Sequence, residues 1–172
     1  KASRAQVASF LDVAEASLNA KLVFQNGADR YLYYIDYSES SPTVHKMNNT
    51  YGAILPSISA DGQWVVYATG PLSDQQTTPS TAWICQIAED AQPISVTSDS
   101  AFQPRFRQNA TNLTVIYSTN DGTGLFEGGG RVYQKEIIGG TPQNETLLYA
   151  HGCFFGGLSW DGTYLWSGQN RA

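Results

Sequence analysis

The chain repeats itself, and that repetition restricts its fold more than any other feature. Residues 54–70 read ILPSISADGQWVVYATG, residues 102–120 read FQPRFRQNATNLTVIYSTN, and residues 154–168 read FFGGLSWDGTYLWSG. Pro56, Pro104 and Gly156 share one slot, followed two residues on by Ile58, Phe106 and Leu158. The offsets are 48 and then 52 residues. A period of this length marks a supersecondary module that cannot bury its own apolar face and stacks against its neighbours instead.

The turn of each copy follows the shared slot. It is Asp61-Gly62 in the first copy, Asp161-Gly162 in the third, and Asn109-Ala110 in a middle copy two residues longer. Asp-Gly between apolar runs predicts a hairpin closed by a tight I′ turn, whose central residues need positive φ. The strands after the turns, 64–67, 114–117 and 164–167, are rich in the Val, Ile, Tyr and Trp that suit a pleated, buried surface. Each period then offers two more strands, at 81–87 and 94–97 after the first hairpin and at 131–138 and 145–149 after the second. Residues 21–24, 31–36 and 43–47 supply the second, third and fourth strands of an earlier period. Four strands in about fifty residues describe a propeller blade, so the spacing predicts about three and a half blades. Their approximate bounds are 21–50, 51–100, 101–151 and 152–172.

Residues 1–20 read differently. Ser3 and Gln6 match a capping box, Val7, Phe10, Leu11, Ala14 and Leu18 fall on one helical face, and Asn19 can close the helix. A short helix is expected there. The competing reading puts the missing first strand of the earliest blade near 12–16.

The repeats resemble the TolB-like family (PD40, WD40-like), whose signature is roughly P-x-[apolar]-S-P-D-G-x-x-[apolar]-x-[Tyr/Phe]. Pro56 to Gly62 matches it with Ala60 in place of the proline, and Leu158 to Gly162 matches with Trp160 there. The copy at Pro104 has lost Ser, Asp and Gly. The resemblance spans about residues 21–167 and implies a six- to eight-bladed propeller in a complete protein. It implies architecture and little about activity, because one fold carries many functions. Three and a half blades cannot close a ring. The expectation is therefore a piece of a longer protein, whose further blades lie in the same full-length chain, or alternatively a pair of copies completing one ring. The absence of an initiator Met and of a signal-peptide pattern at Lys1 points the same way.

Composition narrows the function. The net charge is −5 with no run of Lys or Arg, which disfavours nucleic-acid binding. No stretch approaches the roughly 18 apolar residues of a membrane span. Four N-x-Ser/Thr sequons, at Asn48, Asn109, Asn112 and Asn144, matter only in a eukaryotic secretory source. Cys85 and Cys153 are too far apart to form a metal motif. Cys153 takes the slot of Ala53 and Ala101, so a small buried side chain explains it better than a nucleophile does. Cys85 reads as a small hydrophobe.

Asp61 and Asp161 recur at one turn, which favours a role in that turn over acid–base chemistry. His45 and His151, with no acidic cluster apparent beside them, make a poor metal site. The glycine-rich stretch 120–130 carries Asp121 and Glu127 but lacks calcium-loop and phosphate-loop spacings. It reads as a long hairpin loop, and loops on rigid scaffolds commonly make contacts. Trp160, Asp121 and Glu127 are accordingly the candidate partner-binding residues, although a tryptophan at that turn more often packs on its neighbour. No catalytic, cofactor-binding or metal-binding residues are expected, and no G-x-S-x-G elbow occurs. The expected function is a non-enzymatic scaffold binding a protein or glycan, in a bacterial periplasmic or extracellular setting. The alternative is the accessory propeller of a peptidase or polysaccharide-active enzyme with its catalytic domain elsewhere.

Overall fold

The computed structural model describes residues 20–70, 80–97, 101–108, 110–120, 130–150, 153–159 and 164–169, with backbone alone at 120, 153–158 and 165–169. The expected N-terminal helix lies outside them. The described residues form thirteen strands in four antiparallel sheets. β1 (Lys21–Gln25), β2 (Leu32–Asp36) and β3 (Val44–Met47) make the first sheet. β4 (Ala53–Ile58), β5 (Trp64–Thr69), β6 (Thr81–Gln86) and β7 (Ile94–Ser95) make the second. The third is β8 (Ala101–Arg107), β9 (Leu113–Asn120), β10 (Gly130–Ile138) and β11 (Thr141–Tyr149), and β12 (Cys153–Leu158) pairs with β13 (Leu165–Gln169). Strands neighbouring in sequence are neighbours in each sheet, so every connection is local.

The second sheet shows why its strands read as unbroken apolar runs. Alternation sends Val65, Tyr67, Cys85 and Ile87 to one face, where they pack with Leu32 and Met47 of the first sheet. Val66, Ala82 and Ile84 go to the other and pack with Phe106, Val115, Tyr117 and Ile137 of the third. Cross-strand pairing places Val65 opposite Cys85 and Val66 opposite Ile84, keeping each set in one layer. Both faces are dry. Polar pins reinforce the seam between second and third sheets: Arg105 and Gln108 reach the carbonyls of Leu55 and Ile58, both at 3.4 Å, and Lys135 donates to the Val96 carbonyl at 2.8 Å. Among the described residues the first sheet has one such face only. On its other face Leu22, Ile35 and Val44 lie side by side in register, with Leu22 46% and Val44 58% exposed.

The shared slot turns out to be a bulge. In β4 the pairing with β5 gains one residue between Ile54 and Ser57, and in β8 the pairing with β9 does so between Phe102 and Arg105. A register shift recurs in β12 between Phe155 and Gly157. Leu55 and Gln103, each just before the proline, take φ of 52° and 48°. Side chains avoid this left-handed region, and residues before proline prefer extended backbone. Two equivalent positions thus hold the same strained conformation.

Exposed Gln103 makes the strain measurable. Gln103→Gly is expected to stabilise the chain by about 0.5–1 kcal/mol, since relief of about 1–2 kcal/mol of left-handed strain outweighs glycine's extra freedom when unfolded. A lower urea midpoint for the variant would refute that account of the bulge.

The hairpin turn differs from expectation. Asp61 keeps negative φ, and only Gly62, at 66°, is left-handed. The loop is four residues long rather than a tight two-residue I′ turn: the Ser59 amide donates to the Trp64 carbonyl at 2.9 Å and the Gly62 amide to the Ser59 carbonyl at 3.0 Å. The reason is the Asp61 carboxylate, which accepts from the Ser59 hydroxyl at 2.6 Å and the Gln63 amide at 3.0 Å. Burial opposes its ionisation, yet these bonds hold its carboxyl below the usual range. Ser159 repeats the arrangement, accepting the Tyr164 amide at 2.9 Å as Ser59 accepts that of Trp64.

Candidate binding surface

An aromatic and charged surface lies where the β1–β2 connection, residues 26–31, meets the link from β3 to β4, residues 48–52. The Asn26 side chain accepts the Ala28 amide at 3.0 Å, an Asx turn, and Arg30 then takes φ of 64°. The Arg30 amide donates to the Asn26 carbonyl at 2.8 Å, and its carbonyl accepts the Gly52 amide at 2.9 Å. Buried Thr50 locks the two connections together: its hydroxyl accepts the Leu32 amide at 2.9 Å and donates to the Met47 carbonyl at 2.8 Å. Gly52, at φ 76°, follows directly.

These restraints assemble an aromatic and charged cluster. The rings of Tyr31 and Tyr51 are 5.4 Å apart and inclined at 57°, and Tyr51 is 61% exposed. The Arg30 guanidinium carbon lies 5.4 Å from the Tyr51 centroid, and the Lys46 ammonium 3.6 Å from that of Tyr31. Lys46 is paired with Asp29 at 3.1 Å, and Asp29 also accepts the Tyr33 hydroxyl at 2.6 Å. The Tyr33 bond, helped by Lys46 and the Tyr31 amide, holds the Asp29 carboxyl below its ordinary value, and the bond to Asp29 raises Lys46. The Arg30 Nε is buried and has no hydrogen-bond partner.

The three expected partner-binding residues, Trp160, Asp121 and Glu127, lie outside the described residues, as do His151 and Asp161. The segment bearing Asp121 and Glu127 joins β9 to β10, the connection equivalent to residues 26–31 between β1 and β2. Tyr31, Tyr51 and Arg30 escaped sequence reasoning because nothing in the chain signals that two connections twenty residues apart touch. Glycine at 52, followed by the repeat slot of Ala53, was the one local hint.

His45 corrects a sequence expectation, because acidic groups do surround it. Its Nδ1 lies 2.8 Å from Glu89 of the β6–β7 connection, and its Nε2 lies 3.5 Å from Glu39 and 2.9 Å from the Thr43 hydroxyl. Tyr34 stacks on its ring at 4.9 Å. Glu89, then Glu39, raise its pKa above the ordinary 6.5 despite some desolvation. A raised folded-state value means that the first-to-second-sheet clasp is strongest below the unfolded value and is lost as pH climbs through the folded one. An NMR titration is expected to place His45 above 6.5, and Glu89→Gln to lower it; an unmoved value in that variant would dismiss the clasp.

Cys85 is fully buried, which pushes its thiol up to about 12 and leaves it unreactive at neutral pH. Among the described residues no three His, Cys, Asp or Glu side chains gather closely enough to hold a metal ion. The surface offers stacking, cation–π contact and hydrogen bonding.

No protein-family model matches the chain, and no curated protein matches it in sequence. Among solved structures, the crystal structure of TolB from Acinetobacter baumannii superposes with a TM-score of 0.49 at 15% identity, covering 87% of this chain. The chain spans 37% of that TolB chain's length.

Proposed function

We propose that the described sheets are blades of a β-propeller and that the chain serves as a binding module, taking a protein or glycan partner at the sheet ends that carry Tyr31, Tyr51 and Arg30. The carrying observation is the exposed ring of Tyr51 held by a fixed loop against Tyr31 and Arg30. Aromatic and arginine anchors on a rigid scaffold are the residues that dominate recognition.

The blade reading draws on the second sheet, which is apolar on both faces, and on the recurrent bulge in first strands. A ring would also cover the row of Leu22, Ile35 and Val44 with a further sheet. An acidic, polar composition suits a periplasmic or extracellular setting.

The test compares Tyr51→Ala with Gln63→Ala, at the opposite end of β5, on a glycan microarray and against candidate protein partners. Loss of binding in Tyr51→Ala alone supports the proposal. Binding lost only in Gln63→Ala, or turnover of a glycoside or peptide substrate that a substitution in the cluster abolishes, refutes it.

A further inference from the structure

We propose, building on the binding-module reading, that Arg30, Tyr31 and Tyr51 form a subsite for a carboxylate-bearing sugar ring, a hexuronate residue of an acidic glycan.

The argument starts from charge. Lys46 is neutralised by Asp29, and Lys21 by Asp36 at 3.4 Å. Among the described residues Arg30 has no carboxylate and no hydrogen-bond acceptor for its guanidinium, and its Nε is buried and unsatisfied. A cation left without a counter-charge in a chain of net charge −5 is a place prepared for an anion from outside. The planar fork of a guanidinium matches a carboxylate with two parallel N–H donors, and stacking on an aromatic face fixes its plane beforehand.

Geometry adds the second part. Arg30 is held at φ 64°, a conformation that side chains avoid, so the loop presents it at the expense of local strain. Its Nη2 runs over Gly52, where a Cβ would sit 3.8 Å away. Beside it Tyr51 offers an open ring, inclined to Tyr31 so that the two line an angled shelf. A pyranose presents apolar C–H groups on one face and, in a hexuronate, a carboxylate at its rim. Ring on Tyr51 and carboxylate on Arg30 use both features together.

The polar flank of Tyr51 favours a sugar over a protein partner. A stable protein interface needs about 800 Å² per partner with an apolar centre. Close to Tyr51 along the chain, Asn48 and Asn49 are exposed and polar, and Thr50 between them and the ring is buried.

The experiment is calorimetric titration of the whole chain with tetrasaccharides of galacturonate, mannuronate and glucuronate, their carboxyl-reduced forms, and a hexaglutamate peptide. At least one acidic tetrasaccharide is expected to bind, with affinity falling as salt rises. Tyr51→Ala and Arg30→Gly are each expected to weaken it by roughly tenfold or more. Glycine suits the left-handed backbone at position 30, so that variant keeps the fold while removing the guanidinium. Equal binding of the carboxyl-reduced forms would overturn the acidic-sugar assignment while leaving a glycan-binding module standing. Hexaglutamate binding that survives Tyr51→Ala would overturn the sugar ring in favour of an acidic peptide. Silence from every probe would overturn the subsite, whereas the binding-module reading is decided separately by the microarray and partner comparison.

Discussion

Tyr67→Ala and Ile84→Ala are both expected to destabilise the chain heavily, by about 3–5 and about 2–5 kcal/mol respectively in urea unfolding. Both side chains are buried, and they lie on opposite faces of the second sheet. Tyr67 packs toward Leu32 and Met47 of the first sheet, and Ile84 toward Phe106 and Val115 of the third. In a sheet with one solvated face, one of the two substitutions would be nearly silent. Equal severity is the signature of a sheet stacked on both sides, because each truncation leaves a cavity that its neighbours only partly fill. A loss below about 1 kcal/mol for either would contradict the stacking.

Thr50→Val is expected to cost about 1–3 kcal/mol, far more than a change that keeps the shape of the side chain would suggest. The Thr50 hydroxyl is buried, accepts the Leu32 amide and donates to the Met47 carbonyl. Valine fills the space but leaves the Leu32 amide without an acceptor in a dry place. The effect should spread to the recognition cluster, because the same hydroxyl ties residues 48–52, with Tyr51 among them, to the start of β2. NMR of Thr50→Val should show the Tyr31, Arg30 and Tyr51 signals displaced, and Thr50→Ser should restore them. A valine variant as stable as the parent, with those signals in place, would remove Thr50 from its proposed role.

Both expectations rest on tertiary partners, and they mark where reading the sequence succeeded and where it stopped. The strand positions were legible because pleat alternation and turn chemistry act over a few residues. The run Trp64-Val65-Val66-Tyr67-Ala68, set just after the Asp61-Gly62 turn, reads as a strand suited to a buried, pleated surface. Its burial on both faces emerged only from the packing of the first and third sheets. The role of Asp61 in its turn was legible from its recurrence. The form of that turn was not, since the Ser59 and Gln63 bonds to the carboxylate hold Asp61 out of the left-handed region that a two-residue I′ turn demands. The bulge was visible only as a shared proline slot, and nothing local disclosed that Leu55 and Gln103 before it would be driven to positive φ.

By itself the sequence determined the modular strand-and-turn layout, because such signals are local and repeat with the module. The tertiary structure alone decided which side chains meet across connections: Arg30 with Tyr51, Lys46 with Tyr31, His45 with Glu89. Those meetings depend on how loops from different strands and sheets are brought together, a long-range geometry set by core packing. No short stretch of sequence encodes it.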